Sequence, residues 1–318
     1  MSQMIVVGSG VVGLSIAYEL ARAGHRVRIV ADVDTADTVS AVSAALWFPY
    51  RSERSAAADL LLERSLARFE ELLRVPEAGV VRRSGTVLER TPDPDRSWAS
   101  LFPEAVDVLP DRLPAGVLSG VRVTLPFITI PDYLPWLVGQ LKSLGVAFER
   151  RAVTTVAEPA GSADAVVVAA GLRSGELLGD DRSVVPVRGQ IVRLSNPGLT
   201  DWITDSDNPG GLTYVFPRGA DVVLGGVAVE GSSDVTVHED VAAAILARAT
   251  ELVPELEGQR VLGHAAGLRP ARPTVRVEAV PGHGVPVVAA YGHGGAGVTL
   301  SWGTAERVVT LLGELLST

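Results

Sequence analysis

The feature that most constrains the fold is a glycine motif between a short apolar run and a helical pattern, close to the start of the sequence. Gly8, Gly10 and Gly13 follow the apolar run 5–7 with the spacing G-x-G-x-x-G. In this context the first glycine allows a tight turn, the second lets a pyrophosphate approach the backbone, and the third lets the helix pack on the strand. Asp32 ends the next apolar run, where a ribose-binding acid is expected. The segment therefore predicts a dinucleotide-binding βαβ unit.

The helix that begins after the second glycine is expected to point free N–H groups at the phosphates. The predicted contacts from this unit are Gly8, Ser9, Gly10, Val11, Val12, Gly13, Ala31 and Asp32. The alternative is a glycine-rich turn in an ordinary α/β protein. We favour the dinucleotide site because strand, spacing, helix and acid all agree.

Composition narrows the classes of protein and partner. The chain has 318 residues, 47% of them hydrophobic and 20% charged, which allows two domains or one large one. A net charge of −9 argues against nucleic acid or an anionic membrane as a partner. The absence of cysteine excludes disulfides, thiol catalysis, cysteine-rich metal sites and attachment of a cofactor through sulfur. No metal motif, long apolar span, signal peptide or peroxisomal address is recognised, so we expect a cytoplasmic protein without a metal.

The periodicity of apolar residues predicts alternating helices and strands at both ends of the chain and mostly antiparallel strands between them. Helices are expected at 11–23, 59–73, 131–144, 240–252 and 298–316, and strands at 27–30, 85–88, 121–130, 164–170, 184–194, 212–230 and 285–291. We expect a discontinuous Rossmann-like dinucleotide domain made of 1–76, 140–182 and 258–318. An inserted sheet domain, made of 77–139 and 183–257, is expected to bind the substrate.

Three further segments are candidates for chemistry. The glycine run 292–299 follows a strand and opens a helix, so its N–H groups could stabilise negative charge, although a flexible turn explains it too. Arg269 lies in the proline-stiffened run 267–274, where a fixed guanidinium suits a carboxylate, and the alternative is a surface loop. Tyr214 heads a strand, which is more often packing than function. His293 is expected to make a structural hydrogen bond.

Taken together, these motifs resemble the D-amino acid oxidase family, which also includes D-aspartate oxidase. The matching pieces are Val6-Val7-Gly8-Ser9-Gly10-Val11-Val12-Gly13-Leu14-Ser15, Ala31-Asp32, Ala45-Leu46-Trp47-Phe48-Pro49-Tyr50, Arg188-Gly189-Gln190-Ile191, Tyr214-Val215-Phe216-Pro217, Leu224-Gly225-Gly226, Gly267-Leu268-Arg269-Pro270-Ala271-Arg272-Pro273 and Tyr291-Gly292-His293-Gly294-Gly295-Ala296-Gly297-Val298-Thr299. They occur in family order across nearly the whole chain. The resemblance implies non-covalent FAD and oxidation of a D-amino acid to a 2-oxo acid, with hydride transfer to flavin N5 and release of ammonia and hydrogen peroxide.

The resemblance also implies roles for individual residues. Arg269 would bind the substrate carboxylate, Tyr214 would add a hydrogen bond to it, and the carbonyl of Gly295 would receive the amino group. The further FAD contacts would be Ser43, Ala44, Ala45, Leu46, Gly171, Arg269, Gly292, Gly294, Gly295, Gly297, Val298 and Thr299. The implied partners are a D-amino acid and oxygen, and a homodimer is left open.

This sequence departs from the family at the position of a lid tyrosine found in many animal members, because Gly210 stands there. Relatives that prefer acidic substrates carry arginines at that position and at the position of Ala228, and neither is basic here. We therefore expect neutral, mostly apolar D-amino acids, with Arg218 as the residue that could alter this preference.

Two alternatives stay open. The first is a glycine- or sarcosine-type amine oxidase, which shares the fold and the fingerprint. The second is a dinucleotide-binding dehydrogenase or a non-catalytic flavin module.

Overall fold

The computed structural model describes residues 1–49 and 55–317, and Tyr50 of the aromatic motif lies outside that range. The chain forms two compact units. The first comprises Met1–Val80, Ile128–Val187 and Arg269–Thr318, and the second comprises Val81–Phe127 and Arg188–Leu268, each within the described range.

The strands alternate with helices in the first unit and follow one another in the second. They are β1 (Gln3–Val7), β2 (Arg26–Ala31), β3 (Val80–Glu89), β4 (Val106–Asp107), β5 (Ser119–Ile128), β6 (Ala147–Arg150), β7 (Ala165–Val168), β8 (Val185–Ser195), β9 (Trp202–Asp205), β10 (Thr213–Pro217), β11 (Asp221–Gly225), β12 (Val229–Glu230), β13 (Val261–Val280) and β14 (Val287–His293).

The α-helices are α1 (Val11–Arg22), α2 (Val39–Val42), α3 (Ala56–Leu72), α4 (Ile130–Ser143), α5 (Ala157–Ala160), α6 (Ser174–Leu178), α7 (Glu239–Leu252) and α8 (Gly297–Leu316). Short 3-10 turns lie at Thr35–Asp37, Pro76–Ala78, Ser97–Leu101, Pro110–Arg112, Gly171–Arg173, Pro254–Leu256 and Gly294–Ala296. None of the helices in the described residues combines the length and apolar composition needed to cross a membrane.

The first unit is built on a parallel sheet in the order β14-β7-β1-β2-β6, with the end of β13 antiparallel to β14. The central strand β1 pairs with β2 on one side and β7 on the other, so that Val7 lies level with both Val30 and Val168. The strands β1, β7 and β14 are buried on both faces, which explains their mostly apolar sequences. The helices α1, α3, α4 and α8 pack on one another and cover the sheet.

The second unit is a sheet in the order β4-β5-β3-β9-β10-β11-β8, with β12 paired to β8. The pairings of β9, β10, β11 and β8 are antiparallel, whereas β3 and β9 are parallel. One face packs its apolar residues, including Val192, Val215 and Leu224, against α7. The other face carries aromatic rings, with Phe216 6.0 Å from Phe127 and 6.5 Å from Trp202. The expected α/β fold class, with a mostly antiparallel second region, is confirmed.

The bounds of the two units differ most from the expected domain bounds in two places, whereas residues 77–80 and 183–187 shift the other two bounds by only a few positions into the first unit. Residues 128–139 belong to the first unit, because α4 packs there: the ring of its Tyr133 lies 6.1 Å from that of Phe69 on α3. Residues 258–268 belong to the second unit, where the amide of Ser195 donates to the carbonyl of Arg260 (2.9 Å).

The expectation of a proline-stiffened loop at 267–274 is wrong, because these residues lie in β13. The pairing of β13 with β14 is interrupted between Ala271, opposite His293, and Arg276, opposite Tyr291. Five steps along β13 thus correspond to two along β14, and the extra residues form a bulge. Pro273 lies in this bulge, where a residue without an N–H group is tolerated.

Candidate active site

The three glycines of the turn after β1 differ in how closely other atoms approach them. Gly8 has φ +119°, and a methyl group there would lie 2.3 Å from the carbonyl oxygen of Ala169. A methyl group on Gly13 would lie 2.1 Å from the carbonyl oxygen of Gly8. A methyl group on Gly10 would meet only Ser40 Oγ, at 3.2 Å. The first and third glycines are therefore required by packing, whereas the second leaves its side open for a ligand.

The N-terminus of α1 is prepared for an anion. Gly10 is the N-cap residue and has no side chain with which to cap the helix. Among the described residues, no acid lies in the first turn of the helix. The amide of Val11 donates to Ser40 Oγ (3.0 Å), so this hydroxyl lies directly at the helix end. Sequence reasoning missed Ser40, because only the close approach of α2 to the glycine turn identifies it. A helix end of this kind favours a phosphate group.

Asp32 follows β2, at the same edge of the sheet as the glycine turn. Its carboxylate accepts a hydrogen bond from Arg173 Nη1 (2.7 Å), and Arg173 also donates to the carbonyl of Val153 (3.0 Å). Arg173 ends the turn that begins at Gly171, which has φ +59°. The structure therefore brings the predicted ribose acid and the predicted contact Gly171 to one end of the parallel strands, where such sheets bind ligands.

The small-residue segment 43–46 lies against the start of α8. Thr299 Oγ1 is 3.1 Å from the carbonyl oxygen of Phe48 and 3.5 Å from that of Leu46. Ala45 adopts φ +51°, uncommon for a residue with a side chain, and it is buried. The remaining predicted contacts Ser43, Ala44, Gly297 and Val298 lie in these two segments. The 3-10 turn Gly294–Ala296 leads into α8, with φ +54° at Gly294.

Arg269 and Gly295 each lie two residues from the last pair of the β13–β14 ladder. Ala271 is paired with His293, Arg269 lies two residues before that pair on β13, and Gly295 lies two residues after it on the neighbouring chain segment. A methyl group on Gly294 would lie 3.9 Å from the Cα atom of Ala271, which confirms the close approach of the two segments. The chain segments that carry Arg269 and Gly295 therefore run side by side, and a guanidinium and a backbone carbonyl are the kinds of group that a carboxylate and an amine on one carbon atom would require.

The bulge of β13, which begins after Ala271, is hydrogen-bonded to the segment that follows α6. Arg272 Nε and the Tyr291 hydroxyl both donate to Asp181 Oδ2 (2.8 Å each). The Tyr291 hydroxyl accepts from Arg276 Nη1 (2.7 Å). Burial raises the pKa of Tyr291 to about 12. Burial opposes ionisation of Asp181, but hydrogen bonds from Ser183, Tyr291 and Arg272 outweigh it and hold its pKa well below the usual range. Arg272 is therefore engaged with a carboxylate of the protein.

His293 has the structural role expected from the sequence. Its Nε2 atom lies 2.9 Å from Thr304 Oγ1 on α8, and the side chain is buried. Burial lowers the pKa of His293 to about 4, so the imidazole is neutral at physiological pH. The hydrogen bond joins the end of β14 to α8 and so fixes the glycine turn between them.

Tyr214 lies on β10 in the second unit, directly opposite Gly225 on β11. Its ring is half-buried and lies 4.7 Å from that of Phe216 at an angle of 31°. The side chain of Arg218, on the same strand's C-terminal side, is 4% exposed and bound by two hydrogen bonds to Asp221 (3.1 and 2.6 Å). The guanidinium of Arg218 is therefore paired with Asp221, in the turn that follows its own strand.

The turn between β9 and β10 contains Gly210, at the expected lid position. Asn208 Nδ2 donates to the buried Asp205 (2.9 Å), which also holds Arg90 through Nε and Nη2 (3.0 and 2.7 Å). The amide of Gly210 donates to Asn208 Oδ1 (2.8 Å), and Arg248 of α7 packs against Gly210. The turn is short and held by hydrogen bonds at both ends.

Within the first unit, the described residues fit a bound dinucleotide. The open side of Gly10 and the end of α1 suit a pyrophosphate, and Asp32 offers its carboxylate to a ribose at the adjacent strand end. The glycine turn before α8 adds backbone N–H groups that favour negative charge. Residues 1–49 and 55–317 contain no group of three or more metal-binding side chains.

Comparisons with known proteins agree with this fit. The family model described as FAD dependent oxidoreductase matches residues 3–311. A D-amino-acid oxidase of Rubrobacter xylanophilus is 43% identical over 99% of this chain and 97% of its own, and one of Streptomyces coelicolor is 40% identical over 97% and 96%. A D-aspartate oxidase of Homo sapiens is 32% identical over 98% and 95%. The solved glycine oxidase of Geobacillus kaustophilus, with 22% identity, superposes with a TM-score of 0.82 over 99% of this chain and 95% of that one, which shows a shared fold.

Proposed function

The chain belongs to the FAD-dependent oxidoreductases of the D-amino-acid oxidase family, and we propose from this premise which of its residues carry the reaction. The reaction is the FAD-dependent oxidation of D-amino acids. When bound, FAD supplies the acceptor for two electrons and passes them to oxygen. The protein's own residues bind, orient and shield the substrate.

Arg269 binds the substrate carboxylate through its guanidinium, and the carbonyl of Gly295 accepts a hydrogen bond from the amino group. The observation that carries this proposal is the position of both residues just beyond the last pair of the β13–β14 ladder. Two contacts to two substituents of one carbon atom fix most of its orientation. Tyr214 donates a second hydrogen bond to the same carboxylate.

FAD is held by the ends of β1, β2 and β7 and by the start of α8. The α1 N-terminus with Gly10 and Ser40 binds the pyrophosphate, and Asp32 binds a ribose hydroxyl. Gly171, the segment 43–46 and the turn at Gly294 provide the remaining contacts. The Asp32–Arg173 ion pair supports this assignment, because it holds the carboxylate at the sheet edge before the ligand arrives.

Among the described residues of the first unit, we assign no side chain as a general base. His293, the titratable residue nearest in sequence to Gly295, is buried and engaged with Thr304. We infer that the substrate is bound with an uncharged amino group and that its proton is lost to solvent beforehand. Orientation and charge stabilisation then account for the catalysis.

The experiment that tests the function uses the colour of the bound cofactor. Purified protein is expected to be yellow, to bleach on addition of D-alanine without oxygen, and to recover in air with formation of peroxide. L-alanine serves as the matched control and is expected to leave the colour unchanged. Colourless protein that binds NADH, or yellow protein that no amino acid bleaches, would contradict the proposal.

We further propose that neutral, mostly apolar D-amino acids are the preferred substrates. The absence of a basic residue at Gly210 and Ala228 supports this, as does the pairing of Arg218 with Asp221. The glycine oxidase fold neighbour motivates one comparison: glycine and sarcosine should be oxidised more slowly than D-alanine. A cytoplasmic location and a homodimer are part of the same proposal, and fractionation and light scattering test them.

A further inference from the structure

The ring of Tyr214 lies directly over the last residue of β11. A methyl group added to Gly225 would lie 2.0 Å from Tyr214 Cζ and 2.2 Å from its hydroxyl oxygen. A methyl group on Gly226 would lie 3.3 Å from Cε1 and 3.5 Å from the hydroxyl oxygen. Since real side-chain carbons essentially never approach another atom within 3.0 Å, the ring keeps this position only while residue 225 has no side chain.

The same segment is held from the α7 side by an arginine. Arg248 Nη2 donates to the carbonyl of Gly226 (3.0 Å), and its Nε donates to Thr213 Oγ1 (3.1 Å). The amide of Gly226 donates to the carbonyl of Leu212 (2.8 Å). Arg248 thus ties the start of β10 to the residue after β11. Its hydrogen-bond partners in the described residues are carbonyl and hydroxyl oxygens, and desolvation lowers its pKa.

Phe216 limits the remaining freedom of the tyrosine ring. The two rings lie 4.7 Å apart on the same face of β10, on alternate residues of one strand. Gly225 lies beneath the ring and Phe216 lies beside it, so the ring has little freedom to move. The hydroxyl lies at the end of this ring. A displacement near Cζ therefore moves the hydroxyl by a similar distance, and misplacement of a binding group by about 1 Å can lower a rate on the order of 100-fold.

We propose that Gly225 and Arg248 are positioning residues for the Tyr214 hydroxyl. Gly225 leaves the space in which the ring lies, and Arg248 fixes the backbone of Gly226 so that this space keeps its shape. The inference rests on the proposed role of Tyr214 as a donor to the substrate carboxylate. It gives the Leu-Gly-Gly segment a function in substrate binding, although neither glycine offers a side chain.

A double-mutant cycle between positions 225 and 214 tests this proposal. In the otherwise unchanged enzyme, Gly225→Ala is expected to raise KM for D-alanine roughly tenfold, to weaken binding of propionate by a similar factor, and to change kcat less. In the Tyr214→Ala background the three atoms nearest to the methyl group are absent, so Gly225→Ala should change KM less than about twofold. An equal effect in both backgrounds, or none in the first, would overturn the proposal.

Gly120→Ala is the control, because it crowds β5 of the second unit against residues that are not part of the ring contacts of Tyr214. A methyl group there would lie 3.2 Å from Leu113 Cδ2 and 3.2 Å from the carbonyl oxygen of Val87. This variant should lower Tm and leave KM and propionate binding unchanged. If it raises KM as much as Gly225→Ala does, the effect is general loosening of the sheet and the proposal fails.

Three further variants keep the test decisive if Gly225→Ala folds poorly. Arg248→Met should raise KM in the presence of Tyr214 and leave it unchanged with Tyr214→Ala, and Arg248→Lys should partly restore it by donating to Gly226. Tyr214→Phe removes only the hydroxyl. If Tyr214→Phe leaves KM unchanged, the proposed role of the tyrosine fails; if it raises KM and the cycle shows no coupling, the positioning inference alone fails.

Discussion

The two units fix their functional groups in different ways. In the first unit, backbone geometry places the candidate cofactor contacts: Gly8 and Gly13 are packed against carbonyl oxygens, and the ladder register sets Ala271 opposite His293. In the second unit, side chains hold the turn beside Tyr214, through Asp205 and Arg248. Where backbone contacts position a site, the required glycines occur at a fixed spacing, and this spacing can be recognised in a sequence. A site set by side chains 20 or more residues apart cannot be recognised in this way.

The role of backbone contacts in the first unit is tested most directly by substituting two glycines of the same motif. Gly10→Val should give a folded protein that has lost FAD, because the new side chain meets only Ser40 and the space for the pyrophosphate. Gly13→Val should fail to fold, because its Cβ would lie 2.1 Å from the carbonyl oxygen of Gly8. Far-UV circular dichroism and flavin absorbance per chain measure the two effects. Full yellow colour in Gly10→Val would show that this loop does not bind the cofactor.

The next largest effect is expected at Arg269. Arg269→Ala should retain FAD and lose about 3–5 kcal/mol of transition-state binding, or on the order of 10²–10³ in kcat/KM, because a charged hydrogen-bonded pair is removed. Arg272→Ala is the control: it breaks the contact with Asp181 and should lower Tm more than it lowers kcat/KM. Near-normal kinetics in Arg269→Ala would exclude its role as carboxylate clamp.

A smaller effect is expected from the charge of the substrate side chain. D-aspartate should have a kcat/KM on the order of 10²-fold below that of D-valine or D-methionine, because a second buried carboxylate without a partner loses several kcal/mol of hydration, at about 1.4 kcal/mol per tenfold. The measurement compares these substrates at one pH.

If D-aspartate is the best substrate, the reading of the second unit is wrong. Arg248 would then be the first residue to change, because its guanidinium carbon lies 3.6 Å from where a methyl group on Gly211 would be. Arg218 would come second, since it is bound to Asp221.

The last predicted effect concerns stability, at the hydrogen bond between His293 and Thr304. Burial lowers the pKa of folded His293 to about 4 from 6.5, so the unfolded chain binds a proton between those values and the folded chain does not. The free energy of unfolding should therefore fall as pH falls from 6.5 to 4, by up to about 3 kcal/mol. Urea unfolding at several pH values measures it, and His293→Gln should lose most of this slope. An unchanged slope would contradict the assignment.

Much of the first unit could be predicted from the sequence because each signal was local. The fingerprint, the apolar strand 164–170 and the helix from 298 all rest on residues near one another in the chain. The ends of the elements moved by a few residues, since tertiary contacts set them. Ser40 and Asp181 were missed because their contacts join segments that no sequence spacing relates.

The strand β13 shows where sequence reasoning fails for a physical reason. Two prolines at 270 and 273 indicated a loop, yet both lie in the strand, and for Pro273 the bulge opposite Gly292 removes the need for an N–H donor. Likewise, sequence reasoning singled out Arg218 and did not identify Arg248. Only the structure shows that one is neutralised by Asp221 while the other binds backbone carbonyls.

The order of the segments along the chain has a consequence for synthesis on the ribosome. The second unit is complete once residue 268 has emerged, whereas the first unit still lacks β14, α8 and the end of β13. Until they arrive, β7 has an open edge and α1 lacks the helix that packs against it. The unit that begins first is thus finished last. Nascent chains halted after residue 268 should expose apolar surface of the first unit to chaperones while the second is already protected from protease.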